Sequence, residues 1–140
     1  MSRELAEQQL RRVVVRESGD GPYGQICMVR THEFAADKPV ASGGADTGPD
    51  PFELLMMSLA ACTAMTLRMY AQRKDLNVRR ITVTVEQDRN FGESRTFRRF
   101  IEVFPPVCEP ISRKLVDIAN KCPVHKVLAL GTAIHTRIDL

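Results

Sequence analysis

The chain has 140 residues, a length that suits one globular domain with a hydrophobic core, and we expect a single domain over residues 1–140. Its 20 Lys and Arg residues are nearly balanced by 17 Asp and Glu residues, and the net charge of +3 is spread over separated Arg pairs, which argues against nucleic-acid binding. The N-terminus contains acidic residues and no apolar run, so we expect no secretory signal and a cytoplasmic protein.

The first quarter of the sequence has the pattern of β-structure. Residues 11–17 are built around three valines, and residues 25–34 alternate between two sets of side chains, which predicts two strands. Gly and Pro residues within 21–24 indicate a hairpin-like turn between them. Residues 37–50 are rich in Gly, Pro and Asp but lack the Lys-Ser/Thr ending of a phosphate-binding loop, so we expect a connector.

A long helix follows this connector. Asp50 is placed as its N-cap, Pro51 as its first residue and Glu53 as the partner of Asp50 in a capping box, and the helix should run to about Lys74. Residues 54–67 contain no charge. This stretch is too short to span a membrane, so we expect a buried helix in a core and no membrane partner.

A β-hairpin and two shorter helices are predicted after the long helix. Residues 79–89 place Ile81, Val83 and Val85 on one face, and residues 97–104 are the expected antiparallel partner after a turn at residues 90–92.

An amphipathic helix then carries apolar residues at helical spacing, namely Ile111, Leu115, Ile118, Ala119 and Cys122. Pro123 ends it and begins a third helix to about Leu130, and residues 133–140 alternate as a last strand.

The four cysteines are Cys27, Cys62, Cys108 and Cys122. In a reducing cytoplasm they do not indicate a structural disulfide framework, and no Cys-x-x-Cys or His-x-x-x-His spacing supports a metal site, so we expect no metal. Cys27 and Cys108 have no neighbours that suggest chemistry, and we interpret both as structural. Cys62 and Cys122 are the candidates for redox function.

Cys122 is expected at a helix N-terminus, where unpaired N–H groups and the helix dipole stabilise a thiolate. Cys62 lies inside the apolar helix, where a cysteine is also a common small packing residue. A packing role is the alternative for both thiols, and the two together favour thiol redox chemistry.

Three motifs, in this order, resemble the OsmC/Ohr family: Asp46-Thr-Gly-Pro-Asp-Pro-Phe-Glu-Leu-Leu55, Ala60-Ala-Cys62-Thr63 and Cys122-Pro-Val-His125. The likeness covers residues 22–140. It implies an α+β fold with antiparallel sheets around a long central helix, and an intertwined homodimer. A dimer would also cover an apolar helix that 140 residues can wrap only in part.

The resemblance implies that Cys62 attacks an organic hydroperoxide and that Cys122 resolves the sulfenic acid as a disulfide. An external dithiol would reduce this disulfide, and no other cofactor is expected. The chain differs from the peroxidase branch at Phe52, where that branch has Glu, and residues 31–50 contain no counterpart of the catalytic Arg of that branch, so we expect peroxide reduction to be slow. The alternative is a noncatalytic, redox-responsive module that binds a small apolar or electrophilic ligand at a dimer cleft.

Four further residues are candidates for supporting roles at the thiol site. Arg30 is a nearby cation, and His32 could line the site as a polar group. Glu53 could support the thiol, although its capping role accounts for it. His125 lies three residues after Cys122 and could accept a proton, or it could be an ordinary surface histidine.

Overall fold

The structure is a computed structural model, and it describes residues 11–88 and 96–139. The chain divides into two compact units, residues 1–54 and 55–140, and each is considered by itself. The N-terminal residues 1–10 and the turn predicted at residues 90–92 lie outside the described residues.

The first unit contains a three-stranded antiparallel sheet in the order β1-β2-β3, formed by Val14–Glu17, Gln25–Val29 and His32–Ala36. The prediction of one strand over residues 25–34 is wrong, because the chain reverses at Arg30, whose φ is 51°. No Gly or Pro marks this turn, so the alternating pattern runs through it without a visible break. Cys27 is buried in β2, as expected of a packing residue.

Residues 37–50 form a loop that is organised around the buried carboxylate of Asp37. Its Oδ1 accepts the backbone N–H of Lys38 at 2.7 Å. Its Oδ2 accepts the backbone N–H of Thr47 at 3.1 Å and the Thr47 hydroxyl at 2.8 Å. Three donors satisfy the buried charge, so this side chain holds both ends of the loop together.

The Asp37 carboxylate should stabilise the protein in a pH-dependent way. The backbone N–H of Thr47 lowers the pKa of Asp37 below its ordinary value of 3.8, with desolvation acting in the opposite direction and the other donors adding to the decrease. A carboxyl whose pKa is lower in the folded state contributes stability above its unfolded pKa and loses it as the pH falls through the folded value.

Asp37→Asn should therefore lower the urea midpoint of unfolding at pH 7, and its difference from the unsubstituted protein should shrink below about pH 4. Asp20→Asn is the matched control, because the Asp20 side chain is exposed. A difference that stays the same at pH 7 and pH 3 would contradict this role for Asp37.

The long helix α1, Pro51–Arg73, begins with the predicted capping box. The Glu53 N–H donates to Asp50 Oδ1 at 2.8 Å, and the Asp50 N–H donates to Glu53 Oε1 at 3.3 Å. Pro51 occupies the first helical position, where its missing N–H is not needed. The helix ends just before Asp75, whose φ is 52°. Both predicted helix boundaries are confirmed.

One stripe of α1 is buried, formed by residues at a four-residue repeat: Leu59, Thr63, Leu67 and Ala71. The opposite side is apolar but open, with Met65 66% and Met69 68% exposed. The expected burial of this helix is therefore found along one stripe, and in the single chain the described residues leave its other side open.

The expectation of no membrane span was based on the length of the uncharged stretch 54–67 alone, and the whole helix α1 is longer. The helix has 23 residues and, by length and composition alone, is long and apolar enough to cross one, with 28% of its most apolar window buried. A single helix of this kind is weak evidence for a membrane protein, because the core helix of a soluble protein meets the same criterion.

The second unit contains an antiparallel hairpin and two shorter helices beside α1. Strands β4, Arg80–Gln87, and β5, Phe97–Phe104, pair with Val83 opposite Ile101, and their side chains alternate between exposed and half-buried as predicted. Helix α3, Pro123–Leu130, agrees with the prediction, whereas helix α2, Glu109–Ala119, ends three residues before Cys122, where it was predicted to end. The core of this unit is centred on Leu67, Leu115 and Ala119.

The predicted C-terminal strand is not present in residues 133–139. A strand needs a neighbour for its backbone N–H and C=O groups, and no described strand pairs with this segment. Its Ile134 and Ile138 are 83% and 81% exposed. The residues of this segment therefore alternate as in a strand, but no strand in the described part of one chain pairs with them.

Candidate functional site

Cys122 is the N-cap of α3 and is completely buried. Its sulfur accepts the backbone N–H of His125, the third residue of the helix, at 3.3 Å. Pro123 has no N–H to offer, so His125 supplies the donor that is aimed at the sulfur. The prediction that Cys122 lies at a helix entrance is confirmed, and the backbone N–H of His125 donates a hydrogen bond to its sulfur.

Thr63 of α1 joins this thiol to a cation. Its hydroxyl donates to the carbonyl of Leu59 at 2.7 Å, as threonines inside helices commonly do. The same oxygen accepts an N–H from Arg99 Nη1 at 3.0 Å and lies 3.9 Å from the sulfur of Cys122.

The Thr63 hydroxyl has a single proton, and the acceptor that takes it determines whether Thr63 or Cys122 donates in the contact between them. A hydroxyl has one proton and two lone pairs, and here the carbonyl of Leu59 takes the proton and Arg99 takes one lone pair. The remaining lone pair can accept the S–H of Cys122. Rotation of the hydroxyl away from Leu59 would instead direct its proton to a Cys122 thiolate.

Arg99 lies on β5 on the same face as Phe97 and Ile101, and its side chain is half-buried. Its Nη2 donates to Asn120 Oδ1 at 2.7 Å, in addition to the bond from Nη1 to Thr63. Within residues 11–88 and 96–139, no carboxylate forms an ion pair with it. The neighbouring Arg98 points to the opposite face and pairs with Asp88 at 2.6 Å.

A cavity of about 380 Å³ opens beside these groups. It combines apolar walls with the guanidinium of Arg99 and the polar groups of α2 and α3, and it is lined by Leu59, Phe97, Arg99, Ile101, Val116, Asn120 and His125. Three of these residues hydrogen-bond to the thiol site or to its Thr63, namely Leu59, Arg99 and His125. The cavity and the thiol site are therefore neighbours.

Cys62 precedes Thr63 on α1 and is partly exposed. Successive helical residues point about 100° apart, so Cys62 is directed to a different side of α1 from the one that meets Cys122. The structure brings the helical segment that carries Cys62 against the helix entrance that carries Cys122. Both cysteines are present as free thiols.

The other residues predicted for the site lie in different parts of the chain. His125 lines the cavity and reaches Cys122 through its backbone N–H rather than through its ring. Arg30, His32 and Glu53 belong to the first unit, where Arg30 forms a turn and Glu53 caps α1. The exposed Cys108 caps α2 without a side-chain hydrogen bond, unlike Cys122.

The sequence analysis did not identify Arg99, Thr63 or Asn120. For Arg99 a signal is present, because the alternation of β5 places this charged residue on the apolar face with Phe97 and Ile101. For Thr63 and Asn120 no local pattern indicates a contact with Arg99, since the three residues come from three different elements.

The Thr63 hydroxyl should affect both the stability of the protein and the rate at which Cys122 reacts with an alkylating agent. Thr63→Val keeps the branched shape but removes the acceptor shared by Arg99 and the Cys122 thiol, so the free energy of unfolding should fall by about 1–3 kcal/mol. Cys122 should also react faster with iodoacetamide, because its packing partner no longer holds it. Urea unfolding and mass-spectrometric peptide mapping measure the two effects.

Thr63→Ser is the matched control for this experiment. It keeps the hydroxyl and loses one buried methyl group, which costs about 1 kcal/mol, so Cys122 should retain the alkylation rate of the unsubstituted protein. Equal alkylation rates in all three proteins would show that the hydroxyl does not hold the thiol.

In a comparison with known proteins, the chain matches one protein family. The family model described as OsmC-like protein matches residues 43–137. No curated protein matches the chain significantly.

Solved structures share the fold at low sequence identity. An osmotic stress induced and detoxification response protein from Psychrobacter arcticus is 21% identical, with 85% of this chain and 88% of that chain covered and a TM-score of 0.72. An OsmC-like protein from Mycoplasma pneumoniae is 19% identical, with 86% and 88% covered and a TM-score of 0.71. The organic hydroperoxide resistance protein OhrB of Bacillus subtilis is 19% identical, with 86% and 90% covered and a TM-score of 0.61.

Proposed function

Because the chain belongs to the OsmC-like protein family, we propose that it is a thiol-dependent peroxidase that reduces organic hydroperoxides with Cys62 and Cys122. The observation that carries this proposal is the setting of Cys122, a buried thiol at a helix N-cap that a hydroxyl joins to an arginine. The name of the similar Bacillus subtilis protein, organic hydroperoxide resistance protein, supports the same class of substrate.

The proposed cycle has three balanced steps. The Cys62 thiolate attacks one peroxide oxygen, an S–O bond forms and the O–O bond breaks, and the departing alkoxide takes a proton and leaves as an alcohol. The Cys122 thiol then attacks the sulfur of the Cys62 sulfenic acid, which forms a disulfide and releases water. An external dithiol in the cytoplasm reduces this disulfide and is itself oxidised to a disulfide.

The surroundings of Cys122 suit the resolving role. In the resolving step the Cys122 sulfur loses its proton and bonds to the Cys62 sulfur, and the backbone N–H of His125 donates a hydrogen bond to the Cys122 sulfur. Thr63 can accept the S–H of the resting thiol, and it can rotate to donate to the thiolate. Arg99 acts through Thr63 and is therefore a positioning residue for this sulfur.

Treatment with cumene hydroperoxide should produce a reversible disulfide between Cys62 and Cys122, identified by nonreducing peptide mapping. Cys62→Ser should abolish peroxide consumption. Cys122→Ser should leave a sulfenic acid on Cys62 that a dimedone probe captures. Cys108→Ser is the control, because Cys108 is exposed and makes no side-chain capping bond, and it should consume peroxide at the rate of the unsubstituted protein.

Two results would contradict the enzymatic proposal. One is equal peroxide consumption by the unsubstituted protein, Cys62→Ser and Cys122→Ser. The other is a peroxide-induced disulfide that involves Cys27 or Cys108 instead of the proposed pair.

A noncatalytic, redox-responsive binding module is the second candidate function. The cavity favours it, because its apolar walls and few polar groups are typical of small-molecule sites. Such a module would bind a small apolar or electrophilic ligand without consuming peroxide. Ligand binding that changes with thiol oxidation, in the absence of peroxide turnover, would select this function over the enzyme.

We also propose that the protein is an intertwined homodimer. The open face of α1 includes Met65 and Met69, and the C-terminal segment exposes Ile134 and Ile138. A second copy that covers these residues would remove their apolar surface from water. An obligate interface of this kind buries about 2,000 Å² or more of surface in total.

Sedimentation at micromolar concentration should show a dimer for the unsubstituted protein. Met65→Glu combined with Met69→Glu should shift it to monomer, because two carboxylates in an apolar interface cannot be paired. Lys114→Glu is the control, since it changes the charge of an exposed residue on α2 and should remain dimeric. A monomeric unsubstituted protein would contradict the proposal.

A further inference from the structure

The guanidinium of Arg99 has hydrogen-bonding capacity that the described chain does not use. A guanidinium carries five N–H donors, and Arg99 directs one to Thr63 and one to Asn120. Neither acceptor is charged. In the described part of the chain the positive charge therefore has no carboxylate partner, although the side chain is half-buried in the wall of a cavity.

The hydrogen bonds to Thr63 and Asn120 hold this guanidinium in place. Each of its two terminal nitrogens has one fixed acceptor, at 3.0 Å and 2.7 Å, so the planar group cannot turn freely. A positioned arginine loses little side-chain entropy when it binds an anion, which favours binding.

The remaining cavity wall is mostly apolar. Leu59, Phe97, Ile101 and Val116 contribute hydrocarbon surface, and Asn120 and His125 add polar groups near the thiol site. Among the lining residues that belong to the described ranges 11–88 and 96–139, Arg99 is the single Lys or Arg. One cation matches a singly charged group better than a di- or triphosphate, which proteins bind with several cationic or backbone N–H donors.

We propose that this cavity binds small organic monoanions, with a carboxylate on Arg99 and an apolar chain against Leu59, Phe97, Ile101 and Val116. The inference concerns binding and requires no thiol chemistry, because Cys62, the proposed attacking residue, does not line this cavity.

The test is a titration of the full-length, 15N-labelled protein followed by amide chemical shifts. The probes are octanoate, the uncharged octanamide and the short acetate. Octanoate should bind saturably, shift the amides of Asn120 and His125, and bind at least about tenfold more tightly than octanamide, because a charge-assisted hydrogen bond is lost with the amide. Acetate should bind at least about tenfold more weakly than octanoate, because it has no chain to bury.

Arg99→Gln should remove the preference for octanoate over octanamide while octanamide binding is retained. Arg98→Gln is the matched control, since it removes the same charge from the adjacent residue on the opposite face, and it should keep the preference. Arg99→Lys should give an intermediate preference, because it keeps the charge without the planar pair of donors. The comparison of ligands on the unsubstituted protein requires no variant to fold.

Equal affinity for octanoate and octanamide, the absence of saturable binding, or equal loss in Arg98→Gln and Arg99→Gln would overturn the inference. Cys62→Ser separates this question from catalysis, because Cys62 does not line the cavity. This variant should bind octanoate like the unsubstituted protein even though it consumes no peroxide. If the unsubstituted protein consumes no peroxide but binds octanoate as expected, the enzyme is rejected and the anion site stands.

Discussion

The buried hydroxyl of Thr63 is the contact on which the proposed site depends. It is bonded to the α1 backbone, accepts a hydrogen bond from Arg99 on β5, and lies against the thiol of Cys122 at the start of α3. A single hydroxyl can serve all three because it has one donor and two acceptor positions. Without it, the half-buried guanidinium of Arg99 and the buried thiol of Cys122 would lose a shared acceptor, and unsatisfied polar groups away from water are costly.

The α1 helix has two faces with different roles. Its stripe of Leu59, Thr63, Leu67 and Ala71 is buried and contains the one polar contact to the thiol site. Its opposite face, with Met65 and Met69, remains open in the single chain. The same helix therefore contributes to the thiol site on one side and has an exposed apolar surface on the other, where the proposed second copy would bind. A substitution on one face need not disturb the other, so the two proposals can be tested separately.

Helix boundaries were predicted well because their signals are local. Asp50 and Glu53 satisfy each other's backbone N–H groups, so four consecutive residues, 50–53, specify the start of α1. The same holds for Cys122 followed by Pro123 at the start of α3. The turn at Arg30 was missed because it contains neither Gly nor Pro, and a positive φ at an arginine leaves no compositional trace.

The sequence by itself determined the α+β class, the limits of α1 and α3, the hairpin of β4 and β5, and the helix-entrance setting of Cys122, because propensity, capping and alternation act between residues close in the chain. Only the tertiary structure decided that Arg99 hydrogen-bonds to Thr63 beside Cys122, since Arg99 and Thr63 are 36 positions apart in the chain. Which face of α1 is buried was likewise decided by packing, because an apolar helix offers similar hydrophobic surface on every side and only its neighbours select one.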